Sequence, residues 1–559
     1  MRHRPRSSAV AHPRAAPAVP LDQPPAHHKR KATPPVPPSR AGTRVRASTH
    51  DRADTTFRPT GLAASAAAVP DGEPTSNSVA DRHLLIDALR GFAVLGIFWR
   101  NVFVFGMPFF AYAVPGLIDA DTVPDKIAMV FVAAFTEGTM RALLSILFGA
   151  SVLLILAAPV REGDDPHAPI DRHFRRLLWL AAFGLAHAYL LLWPHDILFL
   201  YGVLGLALFP FRRLAPRPLM AIGLVLLLGS TIVEGTGWRQ VGSAVGKIEA
   251  IEDDLGPDLP LPDEGLEEIL RDAAPDGSFL EGRLDGEPSP GPLGWIVTSA
   301  HAQDGSDAAV GEVIETEGED ALTLDEFAML AEAMGAIEEE TEARLSGYAD
   351  NLRSLAAESF EQQTSELFAH HILDIGAMLF IGMALLKWGV LTGGAGLRTY
   401  RRLALWGLGG GIVLGVLAHD ALIGFEPLMP LSLAIGDYLF DARRLALALG
   451  IVGLFGWLAA SGRATALLRA LAVPGRMALS LYVMQTMIGI TVFYGFGLGL
   501  FGTLAHAELL AFALLVSIFQ LWLAHVWTRR LGRGPLERLL AWLVDGRDGR
   551  HRPRVVGKA

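Results

Sequence analysis

Long apolar runs, separated by short connections rich in arginine, dominate the chain. Runs of around twenty residues or more recur, as at 181–208 and 509–527. About twenty apolar residues at 1.5 Å per residue match the hydrocarbon thickness of a bilayer. Such a run must be helical, because lipid offers no partner to a free backbone N–H. The pattern predicts spans at about 86–106, 139–158, 174–193, 196–211, 217–236, 367–388, 402–424, 432–460, 477–500 and 507–528. A partly apolar stretch, 126–138, is expected to lie at the interface before the second span. The expected fold class is all-α: a polytopic transmembrane bundle of about ten helices.

Between the two groups of spans the pattern changes. Residues 237–366 hold 32 Asp and Glu against 6 Lys and Arg, a net of −26 in a chain whose total is only −10, so the remainder is cationic by 16. That segment reads as an acidic extracytoplasmic insertion. Within it Leu322 to Leu345 alternates apolar residues with glutamates and predicts an amphipathic helix, whereas Pro and Gly at 256–293 predict irregular loop. Residues 1–80 lack both periodicity and an apolar core, and read as a disordered basic tail on the cytoplasmic side. The expected organisation is thus a tail over 1–80, five helices over 81–236, the insertion over 237–366, five helices over 367–530 and a second basic tail over 531–559.

Composition agrees with a membrane chain: 51% of residues are hydrophobic and 19% charged, against about 25% charged in soluble domains. The short connections set the orientation. Arg161, Arg172, Arg175 and Arg176, then Arg212, Arg213 and Arg217, then Lys387, Arg398, Arg401 and Arg402, then Arg463, Arg469 and Arg476, and finally Arg529 and Arg530 all fall on one side, which the positive-inside rule makes cytoplasmic. Both termini then face the cytoplasm of a bacterial inner membrane. The charge asymmetry points to topology and not to a nucleic-acid partner.

With no cysteine in the chain, disulfides, thiolate chemistry and Cys-ligated metals are excluded. No metal site and no evident cofactor is expected. The glycines at 495–499 end an apolar span and are not a dinucleotide fingerprint. What carries chemistry is the set of ionisable residues inside or at the ends of spans, which are costly and therefore functional by default. Asp87 and Arg90 stand three apart and can pair on one helical face. Asn101 follows eleven residues later, about 16 Å along the helix, with Arg100 beside it. Glu137, Arg141, His187, His195 with Asp196 in the turn Pro194-His195-Asp196, His370, His371 and Asp374, His419 and Asp420, and Asp441 with Arg444 all map to the outer third of the bilayer or just beyond. Their convergence implies a polar vestibule open to the outside.

At these residues the sequence resembles a known family. Asp87-Ala88-Leu89-Arg90-Gly91-Phe92 with Asn101, the segment Arg141 to Gly149, Gly184 to Ala188, Asp196-Ile197-Leu198, Tyr201 to Gly205, Gly475 to Ser480, Gln485, Gln520 and Gly534-Pro535-Leu536-Glu537 resemble the YeiB-like membrane proteins, a family of unknown function (domain of unknown function 418). The resemblance covers about 82–236 and 367–545. It implies a distant relation to membrane acyltransferases, some of which move acetyl groups from cytoplasmic acyl-CoA to outward-facing sugars. Some of those relatives use an Arg in the first helix and a His eleven residues on. Here Arg90 matches the Arg, while Asn101 stands at the His position, and an amide cannot act as a general base. The best replacement base is His195, with Asp196 adjacent.

Three functions follow as expectations. The first is acyl transfer, with His195 and Asp196 catalytic, Asp87, Arg90, Asn101, Arg141, His187 and His371 binding substrate, acyl-CoA as donor and a small molecule or glycan as acceptor. The second is small-molecule transport or export through the same vestibule. The third is a non-catalytic membrane scaffold. Apart from the lipid bilayer, no partner or oligomeric state is fixed by the sequence.

Overall fold

A computed structural model describes residues 76–113, 122–157, 165–233, 324–418 and 429–545. The expectations for residues 1–75, for most of the insertion (237–323), for His419 and Asp420 and for the tail beyond 545 lie outside the described residues. Among the described residues all regular structure is helical.

The first helix, α1, runs Ser76–Gly106, and a short α2, Phe109–Ala113, follows it. Helix α3 (Val123–Phe131) starts at Thr122, whose hydroxyl accepts the Asp125 N–H, with Pro124 in its first turn. It widens into a π-helical turn, Val132–Thr136, and the left-handed Gly138 (φ 71°) restarts the chain as α4, Thr139–Leu156. The stretch 126–138, expected at the interface, is therefore helical and leads into the span: Val123–Leu156 is one apolar candidate.

Helices α5 (Ala168–Leu190) and α6 (Ile197–Leu208) form a hairpin. Asp196 caps α6 by accepting the Phe199 N–H at 2.7 Å. The next helix, α7, is Pro216–Val233. Beyond the undescribed part of the insertion lie α8 (Leu324–Leu345) and α9 (Tyr348–Gln363), the first within two residues of the amphipathic helix expected there. A second π turn, Leu367–His371, joins α9 to α10, Ile372–Lys387. Helices α11 (Leu397–Ala418), α12 (Met429–Ser461), α13 (Thr465–Gly475), α14 (Ala478–Phe493), α15 (His506–Leu531) and α16 (Pro535–Asp545) complete the chain.

Seven described helical segments are long and apolar enough to cross a membrane, or eight when α13 and α14, bent by 69° at their junction, count as one. The expected ten are not reproduced by that measure. Helix α6 has only 12 residues, and α5 opens with Asp171, Arg172, Arg175 and Arg176. Helix α13 was not expected at all.

Small residues set the packing, as lipid-embedded helices require. A Cβ on Gly91 would stand 1.8 Å from the Leu471 carbonyl oxygen, and one on Gly475 1.8 Å from that of Asp87, so α1 and α13 touch backbone to backbone. Helices α4 and α10 do the same through Gly149 against Leu379 and Gly382 against Ile146. The bend between α13 and α14 exposes the N-terminus of α14. Glu537 of α16 fills it: its carboxylate accepts the Ser480 N–H (3.1 Å) and the Ser480 hydroxyl, which in turn accepts the Leu536 N–H (3.0 Å).

Candidate functional site

The polar groups expected on the outer side do not scatter around the rim; most of them converge. The foundation is the π turn between α3 and α4. A π turn leaves carbonyls out of the regular ladder. Arg443 of α12, fully buried, donates to the carbonyls of Ala133 (2.6 Å), Ala134 (2.8 Å) and Glu137 (3.3 Å). The guanidinium fork suits this task because it presents several donors in fixed geometry.

Glu137, held at the end of that turn, accepts from Arg100 Nε of α1 at 3.1 Å and from the Tyr112 hydroxyl at 3.2 Å, and the Arg100 guanidinium lies 4.5 Å over the Tyr112 ring. One turn further, Arg141 pairs with Asp374 of α10 at 2.8 Å. Asp374 also binds Arg444, which binds Asp441, and Asp441 accepts from the Thr231 hydroxyl of α7 at 3.0 Å. The Asp441–Arg444 pairing expected from the sequence is present. Charges so deeply placed need partners of opposite sign, and this chain of alternating signs pairs them across α1, α4, α10 and α12, with the Thr231 hydroxyl of α7 at its end.

The hairpin of α8 and α9 closes over the same region. His195, in the turn between α5 and α6, places Nε2 at 3.3 Å from Glu358 of α9. Arg344 of α8 lies 3.9 Å from Glu358 and 3.5 Å from Glu340, and Glu340 accepts the Phe109 N–H at 2.9 Å. Two hydrogen bonds pin this hairpin: the Gly495 N–H donates to the Arg344 carbonyl (3.0 Å), and the Tyr348 hydroxyl to the Leu190 carbonyl (3.0 Å). The side chains of Arg141 and His195 stay 31% and 43% exposed, so these two groups remain reachable by water. The protein packed around the ring, with Arg100, Arg141 and Arg344 facing it, lowers the His195 imidazole to about 4 even though one edge stays open to water. The ring is therefore neutral at pH 7.

His195 and Asp196, adjacent in sequence, are parted by the structure. Asp196 turns inward, where the His187 Nδ1–H donates to it at 2.7 Å, and the His187 Nε2 accepts from the Thr486 hydroxyl at 2.8 Å. All three are buried. Gly184 makes room for this bridge: a Cβ there would meet the Asp196 carboxylate at 2.4 Å. The carboxylate that contacts His195 is Glu358. The His371 Nε2–H donates to the Gln362 Oε1 at 3.0 Å, and the ring lies beside Arg141 and Asp374 at the edge of the cluster.

Asp87 and Arg90 pair at 3.3 Å as expected, and Arg90 also donates to Ser151 at 3.1 Å. Arg90 sits ten residues before Arg100, about 15 Å along α1, and with Asp87 forms a separate group. Asn101 is half-buried on α1 and belongs to neither group. Sequence reasoning missed Tyr112, Glu340, Arg344, Glu358 and Thr486. One signal was present: Arg344 is one of only six cations in the acidic insertion, and Glu340 precedes it by one helical turn. Among the described residues no group of His, Asp and Glu could hold a metal ion.

The apolar helices and the paired charges buried between them define a polytopic helical membrane protein. Residues 385–547 match the family described as protein of unknown function (DUF418). The chain is 26% identical over 466 residues to the uncharacterized protein YeiB of Escherichia coli strain K12, covering 82% of this chain and 95% of that one. It is also 32% identical over 149 residues to the uncharacterized protein YxaH of Bacillus subtilis strain 168, covering 26% of this chain and 36% of the relative. A third relative, an uncharacterized 39.9 kDa protein in the amylase 3′ region of Bacillus acidopullulyticus, is 30% identical over 143 residues, 26% of this chain and 38% of its own. No solved structure matches. On these findings residues 385–547 match the DUF418 family, and most of the chain is similar to YeiB.

Proposed function

We propose that this protein transfers an acyl group to an acceptor on the outer side of a bacterial inner membrane, with both termini in the cytoplasm and His195 as the general base. The observation that carries the reading is the His195–Glu358 contact. A carboxylate that accepts from Nε2–H fixes the tautomer and leaves Nδ1 free to take a proton from an acceptor hydroxyl or amine. Arg100 and Arg141 stand near that ring and suit the negative charge that grows on a carbonyl oxygen during acyl transfer. Arg90, in the separate group with Asp87, suits the phosphates of an acyl-CoA donor. Asp196 serves this reading indirectly, by capping α6 and holding the turn that carries His195. His187 then has a supporting role, and Asp87 orients Arg90. Asn101 and His371 are left without a chemical step.

The test uses purified protein in nanodiscs with radiolabelled acetyl-CoA. Wild type is expected to bind acetyl-CoA and, with water standing in for the acceptor hydroxyl, to release CoA and acetate. His195→Gln is expected to keep binding and lose release by at least tenfold, with Glu358→Gln intermediate. Arg90→Gln is expected to lose binding. No detectable acetyl-CoA binding by wild type, or full release by His195→Gln, would overturn the proposal and leave transport as the better use of the same charged cluster.

A further inference from the structure

The arginine-rich end of the bundle carries a groove that the proposed chemistry does not use. It is an open groove between α13 and the last turns of α15, with a volume of about 510 Å³. Arg469, Arg476 and Arg529 line it, together with His525. No carboxylate among the described residues pairs with any of the three guanidiniums. The His525 ring is tied through Nδ1 to the Leu521 carbonyl at 2.8 Å, which leaves Nε2 as its remaining polar atom. The other wall is small and apolar, including Ala470 and Val473.

Three cations with no carboxylate partner among the described residues repel one another in one groove, and they are stable together only when screened or when an anion sits among them. Two facts narrow the anion. The groove joins a cationic rim to an apolar wall, which fits a molecule with a charged head and a hydrocarbon tail. It also lies where the connections carry their excess of arginine, next to the ends of apolar spans, the level at which phospholipid headgroups sit. A soluble phosphate would use the rim and leave the apolar wall wet. We infer that this groove binds the phosphate headgroup of an anionic phospholipid, with Arg469, Arg476 and Arg529 on the phosphate and an acyl chain along Ala470 and Val473.

Native mass spectrometry of the full chain released from nanodiscs tests this. The discs contain phosphatidylcholine with one part in five of phosphatidylglycerol. Wild type is expected to retain phosphatidylglycerol at about three times its share of the disc, that is, as about three in every five retained lipids. The triple variant Arg469→Gln, Arg476→Gln, Arg529→Gln is expected to lose that enrichment. The triple lysine variant, which keeps the charges, is expected to retain most of it and shows that the loss is not a folding failure. In a separate arm, detergent-purified wild type is offered inorganic phosphate or glycerol phosphate, and neither is expected to displace bound phosphatidylglycerol at millimolar concentration. Equal retention of both lipids, undiminished enrichment in the glutamine variant, or ready displacement by soluble phosphate would each overturn the inference.

Discussion

Gly91 and Gly475 show how little room single atoms have in this bundle. Each would drive a Cβ to 1.8 Å from a carbonyl oxygen on the facing helix, a distance that forces the backbones apart. Gly91→Ala and Gly475→Ala are each expected to destabilise the protein by about 1–3 kcal/mol or more, read as a lower unfolding temperature in detergent. Gly409→Ala and Gly410→Ala, which meet nothing within 4 Å, are expected to be neutral or stabilising by up to about 1 kcal/mol. The same scale explains what the family resemblance rested on. Gly91 and Gly475 face each other, Ser480 holds Glu537, Gln485 bonds Gln520 at 2.9 Å, and Gly184 clears space for Asp196. Most of the residues legible as a family pattern are therefore contacts between helices. His195 is different. With its ring held down to about 4, it stays neutral until the pH falls well below the 6.5 of a free imidazole. If it is the base, the acid limb of turnover lies near pH 4–5, not near 6.5, which a pH–rate profile would show. Stability shifts the same way: between those two values the unfolded chain takes up a proton that the folded ring refuses, so the fold weakens as pH falls through that window.

Among the elements, the α8–α9 hairpin is the one whose role was least visible in the chain. Its amphipathic period was legible, so α8 was placed within two residues. Hydropathy cannot tell a glutamate facing water from one facing an arginine on another helix. Beyond the lone cation Arg344 with Glu340 one turn before it, the role of these charges shows only where folding brings them to Phe109 and His195. Helix α13 was missed for a related reason: eleven residues broken from α14 by a sharp bend do not make a span-length run. Arg344 ties the hairpin together through Glu340, Glu358 and the Tyr494 ring, 5.9 Å away. Arg344→Ala is therefore expected to speed amide exchange across α8 and α9 by about tenfold, while α1 and α10 keep wild-type protection. Unchanged exchange in the hairpin would mean that its hydrogen bonds to Gly495 and Leu190 suffice.

For the whole molecule, the all-helical fold and the approximate place of nearly every apolar helix could be read from periodicity alone, since lipid leaves the backbone no other choice. The number of crossings could not, because α5, α6 and the α13–α14 pair are short, charged or broken. Orientation is open to a direct test, and the cysteine-free sequence makes it a clean one. Thr399→Cys and Thr503→Cys each introduce the sole thiol at an exposed position. In intact cells a membrane-impermeant maleimide is expected to label Thr503→Cys and to label Thr399→Cys only after the membrane is opened. The reverse pattern would invert the topology and move His195 to the cytoplasmic side.

The clasp between Ser480 and Glu537 has a practical bearing on how the chain can be cut or extended. The carboxylate that completes the start of α14 comes from beyond the last long helix. A purification tag or fluorescent fusion attached after residue 545 leaves it in place. A truncation ending at 533 removes it, strips a buried helix end of its anion, and loosens a span that touches both the His187 bridge and α1. An inactive protein shortened in that way would report on a missing fastener and say nothing about the chemistry of the residues deleted.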